Sequence, residues 1–268
     1  MTSGIGLSSC EIFDRVSIDV VNKAMGLGIP DHVGCLLFFE IDGHRQVVKE
    51  QIEKINTLCG HYGMIKADWD DDPAKKVQIW KGRQGIVAAL SLHSRGSRYM
   101  PMLEDFGVPI SEIPATIEDI RKVAKKHQLT IATFGHVGDG NLHACTIMDP
   151  LKIEEWAELK EIGQELIDLA LRHKGTLSAE HGVGIAKASF IDKELGRSHE
   201  VMKAIKKALD PNDILNPGKM GFDGHIRDVF DHCAYEDIIK KSVKISSFGK
   251  DIDTEIMASM MCGLCRAR

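Results

Sequence analysis

Two short segments hold the residues best suited to chemistry. In "FGHVGDGNLH", His136 and His143 flank Asp139-Gly140, a pair that tolerates positive φ and favours a tight hairpin turn. A turn centred there sets the two histidines opposite each other on neighbouring strands, with β-carbons about 5 Å apart, so that both imidazoles reach one metal ion. In "GTLSAEHGVG", Glu180 and His181 are adjacent within a stretch of small residues. Gly182 and Gly184 let the backbone approach a flat cofactor or substrate closely. Two imidazoles and one carboxylate form a recurring site for zinc, manganese or iron, with positions left open for substrate oxygens. The same spacing also suits a solvated loop with structural hydrogen bonds, and Glu180-His181 alone suits a surface or capping role.

These segments need a scaffold, and the apolar periodicity supplies one. "HVGCLLFFEIDG" is predicted to be a strand closed by Asp42-Gly43, and its continuous apolar run predicts cover on both faces. Val48, Ile52, Ile55 and Cys59 recur at helical spacing. A second helix is predicted from about Pro73 into "IVAALSLHS", eased at Gly82 and Gly85. "RYMPMLEDFGVP" reads as strand and turn, and Ile113, Ile117, Ile120 and Ala124 mark a third helix. The strands "LTIATF" and "LHACTIM" flank the glycine-rich turn, and a long helix follows with Trp156, Leu159, Ile162, Leu166 and Leu169 on one side. "SHEVMKAIKKAL" is a short helix with Ser198 available as its cap, and "DPNDILNPGKMG" is rich in turns. The pattern predicts an α+β fold, a split βαβ or ferredoxin-like antiparallel sheet with helices on one face.

Composition narrows the partners. With 43% apolar and 27% charged residues, the 268-residue chain has the balance of a folded protein with one sizeable core and appendages, or two small domains. The net charge of -5, with Lys and Arg scattered among acids, argues against nucleic acid as the main partner. An anionic small substrate needs only one well-placed cation. Seven cysteines are too few for a disulfide framework, no signal peptide is visible, and no apolar run is long enough for a membrane helix. The expectation is a reduced, cytoplasmic setting, with membrane attachment only through partners. Cys262 and Cys265 differ from the isolated cysteines in forming a C-x-x-C.

"FGHVGDGNLH", "GTLSAEHGVG" and "ALDPNDILNPGKMG" occur in that order and resemble the signatures of the C-terminal domain of flavin-linked oxidases, the group with glycolate oxidase and the D-lactate and D-2-hydroxyglutarate dehydrogenases. The resemblance spans residues 8–221. It implies His136, His143 and Glu180 as ligands of a divalent ion (zinc, manganese or iron), with His181 as the catalytic base. It places Asn216, and the backbone at Gly182, near FAD, and gives Arg83 of "IWKGRQG" a grip on the substrate carboxylate. The implied reaction oxidises a 2-hydroxy acid to a 2-oxo acid by hydride transfer to flavin, with the metal binding the substrate's hydroxyl and carboxylate oxygens.

The sequence also departs from that family. Complete relatives carry an N-terminal domain that holds the flavin pyrophosphate, and the expectation is that it lies on another polypeptide or has been lost. Leu103 stands where D-2-hydroxyglutarate dehydrogenases have a lysine for a distal carboxylate, which favours lactate or glycolate. Cys145 replaces a polar residue. Residues 222–268 read as an extension leading into a truncated ferredoxin-like segment, in which Cys262 and Cys265 hold a 4Fe-4S cluster only if a partner completes it. The partners implied are a flavin-binding polypeptide and an iron-sulfur electron-transfer protein. The other readings are a non-catalytic assembly subunit or split-gene remnant, and a metal hydrolase built on the same three ligands.

Overall fold

A computed structural model describes residues 4–91, 98–100, 103–149 and 152–226. Among these residues, six strands form one antiparallel sheet: β1 (Ser9–Asp14), β2 (Cys35–Glu40), β3 (Arg98–Met100), β4 (Asp105–Gly107), β5 (Thr130–Gly135) and β6 (Asn141–Met148), with β3 and β4 both pairing with β6 and the order otherwise β2-β1-β5-β6-β3. The helices are α1 (Arg15–Met25), α2 (Arg45–His61), α3 (Pro73–Gln84), α4 (Ile86–Ser91), α5 (Ile113–His127), α6 (Ile153–Arg172), α7 (Ile191–Leu195) and α8 (Arg197–Leu209).

The α+β class and the antiparallel sheet are as expected, and α5 with α6 makes the expected helical layer. The helices occupy two faces rather than one. β6 is buried along its whole length, so its alternate side chains need cover on opposite sides. Leu142 and Ala144 join Ile131, Ile117, Ile120, Ile162 and Leu166 beneath α5 and α6. Cys145 and Ile147 join Ala132, Phe134, Phe13, Ile18, Val21 and Leu90 beneath α1 and α4.

β1 and α1 were not visible in the periodicity. β1, "SCEIFD", carries a serine and two acids, yet it lies inside the sheet between β2 and β5. Asp14 caps α1 by accepting the Ser17 amide at 2.8 Å, and burial raises its pKa. β2 departs from its predicted double cover. It ends the sheet, and only Leu36 and Phe38 pack towards the core, while Cys35 and Leu37 are exposed. The second predicted helix is split at Gly85 into α3 and α4. Ser198 lies inside α8 rather than capping it, because Gly196, at φ 47°, takes the capping position.

Two histidines pin α5 to α6 at opposite ends. His127 Nδ1 lies 2.6 Å from Glu158 and its Nε2 3.1 Å from Glu165, which also pairs with Lys126. His173, following α6, lies 2.9 Å from Glu112 and 3.0 Å from Asp119, which also holds Lys122. Burial opposes the charged form of His127, but the Glu158 and Glu165 hydrogen bonds raise its pKa; those from Glu112 and Asp119 raise that of His173. A histidine whose folded pKa exceeds its unfolded value of about 6.5 contributes fully below that value and loses the contribution as pH rises through the raised pKa. His127→Gln with His173→Gln is therefore expected to lower the melting temperature more at about pH 5.5 than at about pH 8.5. An equal loss at both would show that neither imidazole carries charge into the pair.

Candidate functional site

The sheet delivers one of the candidate residues, and two loops deliver the others. His143 sits in β6 with its side chain 7% exposed, opposite Phe134 of β5 and Asp105 of β4 in the backbone register. His136 lies just past β5, in the five-residue connection to β6, and the amides of Asp139 and of Asn141, the first residue of β6, both donate to the His136 carbonyl. The turn is thus wider than a tight turn centred on Asp139-Gly140, and His136 is not the direct cross-strand partner of His143. The imidazoles still meet, with ring centroids 5.7 Å apart and nearly perpendicular. Gly140, at φ 82°, lets the connection pass against Val108.

Glu180 and His181 come from the irregular segment between α6 and α7. Glu180 Oε1 is the point on which three imidazoles converge, 3.1 Å from His143 Nε2 and 3.5 Å from the Nε2 atoms of both His136 and His181. The His143 and His181 rings stack at 5.1 Å. His136, His143 and Glu180 can offer one ligand atom each within 4.8 Å of one another, and so can Glu104, His143 and His181. Nitrogen and carboxylate donors gathered this closely suit a zinc, manganese or iron ion. Burial lowers the His143 pKa, which keeps its ring in the neutral form that a metal ligand requires.

Three buried acids surround this cluster, and sequence reasoning found none of them. Glu11, in β1, accepts from Arg83 Nε at 2.9 Å and lies 2.8 Å from His136 Nδ1. Burial pushes its carboxyl upward, but the His136 hydrogen bond and the Arg83 guanidinium outweigh this and hold it below its ordinary value. A carboxylate only accepts, so His136 donates from Nδ1 to Glu11, and its Nε2 faces Glu180. Glu104 stands likewise 3.2 Å from His181 Nδ1. Asp105, fully buried, accepts from the Glu180 and His181 amides. The available signal was a charged residue inside an apolar strand, as in "CEIF" and "LEDFG".

Arg83, near the end of α3, is brought to the cluster. Its NH2 lies 3.5 Å from His136 Nδ1, its guanidinium carbon 5.5 Å from the centre of the Phe134 ring, and its Nε is engaged by Glu11. Gly182 and Gly184 have positive φ and open space where a side chain would stand. The Met220 amide donates to the Gly184 carbonyl at 2.7 Å, which ties the "NPGKM" turn to the Glu180 loop, with Asn216 exposed at φ 49°. Leu103 is buried. It packs with Ile167 and Leu177 against Gly163 of α6. Cys145 is buried among Phe134 and Ile147. Cys262 and Cys265 lie outside the described residues, as does the extension beyond Ile226.

An antiparallel sheet that carries a histidine-carboxylate cluster at the mouth of a hairpin defines the class, and comparison with known proteins supplies the family. The model of FAD linked oxidases, C-terminal domain, matches residues 1–220. The chain is 33% identical to the mitochondrial D-lactate dehydrogenase [cytochrome] of Arabidopsis thaliana over 82% of its own length and 38% of that protein. It is 32% identical to the glycolate oxidase subunit GlcD of Bacillus subtilis over 80% of itself and 45% of that protein. The 4-ethylphenol oxidase of Gulosibacter chungangensis shares the fold, with a TM-score of 0.55 at 16% identity over 80% of this chain and 47% of that one. The chain therefore belongs to the FAD-linked oxidase family, and the matched region is its C-terminal domain. It spans less than half the length of these relatives. Among the described residues, no helix is long and apolar enough to cross a membrane.

Proposed function

We propose that the chain is the substrate-side component of an FAD-dependent 2-hydroxy-acid dehydrogenase of the D-lactate or glycolate type, inactive without the flavin-binding half supplied outside these 268 residues. The observation that carries this reading is the convergence of the Nε2 atoms of His136, His143 and His181 on Glu180 Oε1. The names of the relatives support the substrate class.

In this reading His136, His143 and Glu180 hold a divalent ion, which when bound polarises the substrate's hydroxyl and carboxylate oxygens. His181, with Nδ1 towards Glu104, offers Nε2 to take the hydroxyl proton. Arg83 keeps N–H groups beyond the Nε held by Glu11 and presents them to the substrate carboxylate. Gly182 and Asn216 would line the approach to the flavin, which would supply the hydride acceptor. Residues 8–221 form this domain. The electron acceptor would be an iron-sulfur partner protein, and the setting is cytoplasmic, peripheral to a membrane through partners.

The test is to purify the tagged chain from its own cells and assay flavin and metal in everything that co-elutes. About one flavin per chain on a second polypeptide, with turnover of D-lactate or glycolate, is the expected result. Elution of the chain alone, with metal but no flavin, would end the dehydrogenase reading for this polypeptide.

A further inference from the structure

We infer that Asp105 is the positioning residue that moulds the Glu180-His181 loop onto the sheet and so sets the geometry of the metal site. This rests on the reading of His136, His143 and Glu180 as ligands. The loop has no regular hydrogen-bond ladder of its own and consists largely of small residues, so something outside it must fix its path. Asp105 does so at four successive positions. Its carboxylate accepts from the Ser178 hydroxyl at 2.9 Å and from the amides of Ala179 at 3.1 Å, Glu180 at 3.3 Å and His181 at 3.0 Å. Backbone N–H groups gathered around one anion form a concave nest whose shape depends on the charge at its centre.

The countercharge comes from Lys187, whose side chain is 2% exposed. Its Nζ lies 3.4 Å from the Asp105 carboxylate and also donates to the Asp105 carbonyl. A buried lysine is costly unless paired, and this one has its partner in β4. On its other side β4 pairs with β6, where Asp105 stands opposite His143. One residue therefore joins the strand that carries His143 to the loop that carries Glu180 and His181. Partners behind metal ligands of this kind typically govern affinity by about 10- to 100-fold.

The test titrates the full chain and two variants with cobalt(II) chloride, following the visible d–d bands, alongside thermal melts. Asp105→Asn keeps size but puts an N–H donor among N–H donors. The double variant Asp105→Asn/Lys187→Met also removes the stranded charge, which protects the fold. Both are expected to melt cooperatively while binding cobalt about 10- to 100-fold more weakly and with changed bands. A folded variant that binds cobalt as the unsubstituted chain does would overturn the role of Asp105 and leave the ligand assignment intact. An unsubstituted chain that binds no cobalt would overturn both. Amide hydrogen exchange on the unsubstituted chain gives an independent check. The amides of Ala179, Glu180 and His181 should exchange slowly despite their exposed side chains, and rapid exchange there would sink the proposal.

Discussion

Replacing His143 by alanine is expected to weaken divalent-metal binding by more than about 100-fold, beyond the loss typical of removing a group behind a ligand, while the chain stays folded. Of the three imidazoles around Glu180 Oε1, His143 is the nearest at 3.1 Å, and it is the one carried by the sheet itself. Burial holds its ring neutral, and Phe134 packs beside it at 5.3 Å. Without it, His136 and His181 would remain 3.5 Å from the carboxylate, each on a loop. The substitution removes a ring at the edge of the core without stranding a buried charge, so the melting temperature should fall only modestly. Metal content after dialysis, measured with the melt, decides the matter. Retained metal in a folded variant would move the ligand set away from β6.

Gly140→Ala is expected to destabilise the domain by about 3 kcal/mol or more, from a strained backbone together with overpacking. Gly140 sits at φ 82°, and a β-carbon there would lie 2.2 Å from the Val108 carbonyl oxygen, which is backbone and has little room to retreat. The approach is enforced by the Val108 amide, which donates to the Gly140 carbonyl at 2.9 Å. Gly182→Ala is the matched control, because it has a similar φ of 78° but nothing within 4 Å of the added carbon. It should cost only about 1–2 kcal/mol, the penalty of the left-handed conformation alone. Urea midpoints for the two variants measure the difference. Equal midpoints would mean that the hairpin yields at Val108 and does not hold His136 in place.

The parts of the fold that followed apolar spacing were legible in the sequence. The Ile113-Ile117-Ile120 stripe and the Leu159-Ile162-Leu166 stripe became α5 and α6, and "LHACTIM" became β6. What escaped was whatever depended on a buried charge. β1 was invisible because Glu11 and Asp14 interrupt its apolar run, although both are buried against partners distant in sequence or at the start of the next helix. The same blindness hid Glu104 and Asp105, since two adjacent acids at the start of a short strand read as a turn. Register was the other loss. The Asp139-Gly140 pair suggested a turn centre, but pairing of Phe134 with His143 shifts His136 into the loop, a shift that turn propensity alone does not encode. The cluster formed because Glu11 and Glu180 draw His136 back to it.

The β2 edge of the sheet differs from its centre in a way that bears on how the molecule breathes. α2 has no fully buried residue, and β2, beside it in sequence, has Leu37 40% exposed and a neighbouring strand on one side only. Regions with so little buried apolar contact open at low free-energy cost, whereas central strands open only with the whole domain. Excursions in which α2 and β2 detach would thus recur many times within the lifetime of a single folded molecule. β5 and β6, two and three strands further in, would stay paired through them, so His143 would hold its place while the far edge came and went.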